Sequence, residues 1–81
     1  MKNNTMYIFT SKKCQPCLQL KKTIQDNNEY IKCKIVYIDI DENLELAAKM
    51  KIKTLPTIFY NEKKIEGNVS FNVLKLKLNI N

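Results

Sequence analysis

The chain contains no histidine, no arginine, no tryptophan and a single glycine, and each shortage closes off a class of function. Without histidine there is no Ser-His or Cys-His nucleophile pair and no His-ligated zinc site. Proton transfer must then use cysteine, lysine, a carboxylate, tyrosine or water. Without arginine, the formal net charge of +6 comes entirely from lysines, and the bidentate reader of phosphate and guanine is missing. Those lysines are spread along the whole chain, so the charge reads as a solvated surface that steers acidic partners, and nucleic-acid binding is not expected. With three cysteines in 81 residues there is no disulfide scaffold. No apolar run approaches the roughly 20 residues that cross a bilayer. Nor is a leader expected after Met1-Lys2, where Asn3, Asn4 and Thr5 precede only four apolar residues. The expectation is a monomer in a reducing cytosol, one small domain over 1–81, with no membrane partner.

What is present is organised around Cys14-Gln15-Pro16-Cys17. The run Met6-Tyr7-Ile8-Phe9 before it is apolar throughout, as in a strand covered on both faces. After it, Cys17, Leu20 and Ile24 recur at helical spacing with Lys21, Lys22 and Gln25 on the other side. Pro16 suits a first helical turn, where its missing N–H costs little, and Asp26-Asn27-Asn28 ends the helix. A dithiol at a strand-to-helix junction is the layout of a redox site. Unpaired N–H groups and the positive dipole end at a helix start favour a thiolate, and the thiolate is the form that attacks disulfides.

A second strand spans Cys33 to Ile40, rich in β-branched residues. Asp39, Asp41 and Asn43 then offer caps for a short helix whose apolar face is Leu44, Ala47, Ala48 and Met50. This helix should stop near Lys51 to Lys53. Thr57-Ile58-Phe59-Tyr60 is a third strand and Ile65 lies in a fourth, with Asn61-Glu62-Lys63-Lys64 as the hairpin connection. Gly67 marks a backbone position that other residues tolerate poorly. Ser70 can cap a last helix with Phe71, Leu74 and Leu78 inward. Tyr7, Tyr37 and Tyr60 are expected to pack. The order β-α-β-α-β-β-α predicts an α/β fold: a parallel first pair, an antiparallel hairpin, and a four-stranded mixed sheet flanked by helices.

This order, with the CxxC after strand one and Thr54-Leu55-Pro56-Thr57 before strand three, resembles the thioredoxin/glutaredoxin superfamily in its minimal thioredoxin fold. The resemblance runs from about Met6 to Leu78. It implies a cis Pro56 facing the dithiol, with the Leu55 backbone pairing to an extended substrate segment. It implies a thiol–disulfide oxidoreductase whose redox-active disulfide is Cys14–Cys17. Cys14 would be the more exposed nucleophile, its pKa lowered into the range of about 3.5–7.5 seen in such motifs by the helix start and by Lys12 and Lys13. Cys17 would be the buried resolving thiol. Lys12, Lys13, Gln15, Pro16, Thr54, Leu55 and Pro56 would form the substrate-binding surface for disulfide-containing proteins. No bound cofactor is implied, only electrons from a thioredoxin reductase or from glutathione.

Two branches of the family compete. Asp39-Ile40-Asp41-Glu42-Asn43, Leu55-Pro56-Thr57 and Asn61 to Gly67 are similar to thioredoxin, but the thioredoxin Trp before the first cysteine is Lys13, and its buried Asp is Ile8. The size and Thr54-Leu55-Pro56 are similar to glutaredoxin. That family's Gly-Gly-x-x-Asp glutathione motif is here Gly67-Asn68-Val69-Ser70, which would leave Gly67, Asn68 and Ser70 as a reduced glutathione site. Two further readings stand beside these. In one, the dithiol is half of a metal or cluster site, for which only Cys33 remains in the chain. In the other, the chain is a redox-inactive interaction domain. Cys33 itself reads as a strand or core residue.

Overall fold

The computed structural model describes residues 5–78. Strand β1 (Thr5–Thr10) leads to helix α1 (Gln15–Asp26), strand β2 (Lys34–Asp39), helix α2 (Leu44–Lys49), strands β3 (Thr57–Tyr60) and β4 (Lys63–Glu66), and helix α3 (Phe71–Leu78). Single 3-10 turns at Asn28–Tyr30 and Ile40–Glu42 precede β2 and α2. The element order is the one expected, and the sheet runs β2-β1-β3-β4. β1 and β2 are parallel, while β1–β3 and β3–β4 are antiparallel.

Strand β1 is central, which explains its unbroken apolar run. Met6 and Ile8 point to one face and are 0% and 1% exposed; Phe9 points to the other and is 2% exposed. On the first face they meet Leu20 and Ile24 of α1, Ile58 and Ile65 of the hairpin, and Leu74 and Leu78 of α3. That face is the main core. Burying each such side chain is worth about 1.5–3 kcal/mol. The expected inner faces of α1 and α3 are therefore the ones used, with Phe71 packed at the core margin. Ser70 caps α3 as its sequence position suggests: its Oγ accepts from the Val73 N–H at 3.3 Å.

The other face is thinner, and here the expected α2 stripe is corrected. Of Leu44, Ala47, Ala48 and Met50, only Ala47 is buried; Leu44 is 68% exposed. A six-residue helix makes fewer than two turns and cannot turn four scattered positions onto one sheet. Instead Leu46 and Met50 line an apolar cleft with Phe9, Ile38 and Phe59. The capping expectation also shifts. Asp39 caps the 3-10 turn, its Oδ1 accepting from Asp41 N–H at 2.9 Å. Asn43 sits at the N-cap of α2 without a side-chain cap bond; its Nδ2 donates to the Asp39 carbonyl.

The shortage of glycine shows in the turns. Helix α2 ends with the Lys51 N–H bonded to Ala48 O and the Ile52 N–H to Ala47 O, the paired bonds that normally close on a left-handed glycine. Lys51 holds that conformation here, at φ 57. The hairpin connection is shorter than expected: only Asn61 and Glu62 turn, and Lys63 and Lys64 belong to β4. Asn61, at φ 56, is one of the few residue types that enter this region readily. The one glycine, Gly67, is at φ 87 with open space around its Cα, so the backbone angle, not crowding, demands it.

Candidate active site

Cys14 ends the loop after β1 and is the N-cap of α1, in extended conformation at φ −98 and ψ 106. Its Sγ accepts a hydrogen bond from the Cys17 N–H at 3.2 Å. One of the orphan donors at the helix start is thus aimed at sulfur, where a capping oxygen would normally sit. Gln15 and Pro16 form the exposed first turn, and Pro16 needs no amide partner there. Cys17 follows on the inner side of α1 and is 5% exposed. Cys14 and Cys17 form a disulfide with Cα atoms 5.2 Å apart, within the span that such a bond requires. The two sulfurs therefore differ in access: Cys14 is half-buried, Cys17 nearly enclosed.

The sheet register brings the second expected motif to the same end of the molecule. Phe9 at the end of β1 pairs with Thr57 at the start of β3, so the segment before Thr57 flanks the loop that carries Cys14. The Leu55–Pro56 peptide is cis, as the resemblance implies. Pro56 is buried and Thr57 is 0% exposed, with the Thr57 hydroxyl donating to the Thr54 carbonyl. Leu55 is half-buried and Thr54 exposed.

Gly67, Asn68 and Ser70 also come to this end. The Gly67 N–H donates to the Pro56 carbonyl at 2.8 Å, and Asn68 Nδ2 donates to Gln19 Oε1 of α1 at 3.0 Å. All three are already committed to internal bonds, since Ser70 Oγ occupies the Val73 N–H.

Lys12 and Lys13 are exposed. The Lys12 ammonium pairs with Glu42, at 3.6 Å. The Lys13 backbone N–H reaches Ser11 Oγ at 3.4 Å. Ser11 in turn donates to Asp41 at 3.2 Å, so the loop before Cys14 is fastened to the turn after β2. Sequence reasoning missed Ser11, Asp41 and Glu42 in this role; the only signal was the acid cluster at Asp39 to Glu42. It also missed Lys21 and Tyr37, which line a cleft beside Cys17. Lys21 Nζ stands 5.1 Å from the Tyr37 ring centroid. Tyr37 was expected to pack inside but is 36% exposed.

Cys33 is the free cysteine, half-buried and packed against the core, one residue before β2, which begins at Lys34 and not at Cys33 as expected. Loss of solvation pushes its thiol pKa up, with its own backbone hydrogen bond acting weakly the other way. In the oxidised protein, alkylation should therefore modify one thiol per chain, more slowly than free cysteine at pH 7–8, because the thiolate is the reactive form. Mass spectrometry of a timed iodoacetamide reaction checks this. Among the described residues, no group of three or more Cys, Asp or Glu side chains is placed to hold a metal ion, and no helix is long and apolar enough to cross a membrane.

With this geometry in view, comparison with known proteins is informative. The thioredoxin family model matches residues 1–79. No curated protein is significantly similar in sequence. Among solved structures, thioredoxin-2, a component of the malaria parasite's protein secretion machinery, is 27% identical. It aligns over 93% of this chain and 80% of its own, with a TM-score of 0.79. Chloroplastic thioredoxin z is 27% identical, over 94% of this chain and 76% of its own, with a TM-score of 0.78. The glutaredoxin-like protein NrdH-redoxin of Escherichia coli, which has a thioredoxin-like activity profile, shares the fold at 17% identity. That match covers 89% of this chain and 93% of its own, at a TM-score of 0.73.

Proposed function

The chain belongs to the thioredoxin family, and from that premise we propose that it reduces disulfide bonds in protein substrates, with Cys14 as nucleophile and Cys17 as resolving thiol. The observation that carries this reading is the hydrogen bond from the Cys17 N–H to Cys14 Sγ. In the reduced protein a donor already aimed at that atom favours a thiolate there. The Cys14 thiolate attacks a substrate disulfide, forming a mixed disulfide and releasing one substrate thiolate, which takes a proton. Cys17 then loses its proton and attacks Cys14 Sγ. The mixed disulfide breaks, the second substrate thiolate leaves, and Cys14–Cys17 is oxidised. The surface around Cys14 suits a protein substrate: Gln15, Pro16 and Leu18, the last 53% exposed, stand open to solvent, and half-buried Leu55 precedes the buried Pro56 on the neighbouring segment.

We take the electron donor to be a flavoprotein reductase of the thioredoxin reductase type. The support is the state of Gly67, Asn68 and Ser70. A glutathione carboxylate at the start of α3 would have to displace Ser70 Oγ from the Val73 N–H and Asn68 from Gln19. The setting that fits is a reducing cytosol. Insulin reduction should be sustained by NADPH with thioredoxin reductase, and at least about tenfold more slowly by glutathione with glutathione reductase. Turnover sustained only by glutathione would reverse the donor assignment and leave the dithiol chemistry intact.

A further inference from the structure

Resolution of the mixed disulfide makes a demand that the Cys14 geometry does not meet. Cys17 must become a thiolate while 5% exposed, and burial disfavours the charged form. The chain has no histidine to help. Cys17 does line an open cleft of about 180 Å³ between α1 and β2. Four groups that can carry charge face it from the surrounding elements: Lys12 from the loop after β1, Lys21 from α1, and Tyr37 and Asp39 from β2. Their charges are not equivalent. The Lys12 ammonium is paired with Glu42. The Asp39 carboxylate is held by the Asp41 N–H through Oδ1. Tyr37 is neutral, and burial pushes its phenol further up.

Lys21 stands apart. It lies four residues after Cys17, hence one turn along the same flank of the helix, and lines the cleft with it rather than standing on the opposite side with Lys22 and Gln25 as the spacing of apolar residues suggested. Its neighbour Lys22 turns outward to Asp26 at 3.2 Å. Lys21 instead leans across the cleft so that Nζ sits 5.1 Å from the centroid of the Tyr37 ring, within the range of a cation–π contact. It takes no part in the Lys12–Glu42 or Lys22–Asp26 pair.

We propose that Lys21, held over the Tyr37 ring, stabilises the Cys17 thiolate across the cleft and so speeds resolution of the mixed disulfide. Tyr37 is the positioning residue, since it fixes an otherwise mobile ammonium on the Cys17 side of α1. Asp39 opposes Lys21 with a negative charge on the same cleft, so the two side chains set the proton affinity of Cys17 between them. This rests on the resolving role of Cys17 given above.

The test titrates Cys17 directly, through its ¹³Cβ chemical shift in the Cys14→Ser protein, which separates it from Cys33 and requires no turnover. Lys21→Met should raise the Cys17 midpoint by about half a pH unit, as expected for one unit charge acting through water-filled space. In the protein with both cysteines, the same change should slow resolution at pH 7 about threefold. Lys21→Arg, which keeps a cation over the ring, should restore both values. Tyr37→Leu should shift the midpoint the same way as Lys21→Met. Asp39→Asn, which retains the oxygen that caps the 3-10 turn, should lower the midpoint. A midpoint unmoved by Lys21→Met, or moved in one direction by both Lys21→Met and Asp39→Asn, overturns the proposal. A failure of the reductase reading would appear differently, as absent insulin reduction with the titration pattern intact.

Discussion

Cys14→Ser is expected to reduce insulin-reducing turnover by at least about a thousandfold, to the background of the donor system. Serine keeps the N-cap geometry, since its oxygen accepts the Cys17 N–H at least as well as sulfur, so the helix start survives while the nucleophile is lost. A serine hydroxyl with no base beside it does not attack a disulfide, and Cys17, at 5% exposure, is poorly placed to take over. Cys17→Ser should behave differently. Cys14 remains able to attack, and the mixed disulfide then has no internal thiol to resolve it. Incubated with an oxidised protein substrate, this variant should accumulate a covalent adduct on non-reducing gels that dithiothreitol releases, with Cys14 as the linked residue by mass spectrometry. The doubly substituted protein should form none. Wild-type turnover from Cys14→Ser, or adducts mapping to Cys33, would refute the assignment of roles.

The parts of the molecule that were legible in the sequence are those where local pattern and tertiary demand coincide. Met6 to Phe9 is apolar throughout because β1 lies in the middle of the sheet with both faces covered. The spacing of Cys17, Leu20 and Ile24 is helical because these residues share one core face. The Cys14 and Pro56 motifs are fixed by residue types that few other environments require. Helix α2 was legible as a helix but not in its orientation. One and a half turns carry too little periodicity to choose a face, and the chain closes at Lys51 without the glycine that usually announces such an end.

Within the site, Ser11–Asp41, Lys12–Glu42 and Lys21–Tyr37 were illegible for a different reason. Each joins residues 16 to 30 positions apart in the chain. The first two meet because the parallel β1–β2 register sets Thr10 beside Asp39, and the third because α1 and β2 wall one cleft, arrangements that no local pattern contains. Charge spacing on α1 made Lys21 and Lys22 look alike; only the presence of Tyr37 across the cleft separates them.

The largest expected effect on stability comes from Ile58→Ala. Ile58 pairs with Ile8 on one side and Ile65 on the other. Ile8, Ile58 and Ile65, 1%, 0% and 6% exposed, form a row across three strands beneath α1 and α3. Truncation to alanine removes buried methyl and methylene groups and leaves a cavity that neighbours on a hydrogen-bonded sheet can only partly fill, which costs about 2–5 kcal/mol. A chain of this size has a total stability of about 4–12 kcal/mol, so the loss consumes a large part of it. Urea unfolding followed by far-ultraviolet circular dichroism should show a much lower midpoint with an unchanged slope, the mark of altered stability without altered compactness. Leu76→Ala supplies the contrast. Leu76 lies on the same helix as Leu74 but is 82% exposed, and its truncation should stay within about 0.5 kcal/mol of wild type. Equal losses from the two variants would mean that the core does not lie on the face shared by Met6, Ile8 and Ile58. A large loss confined to Ile58→Ala locates it there, under the helix that Cys14 caps and whose first turn holds Cys17.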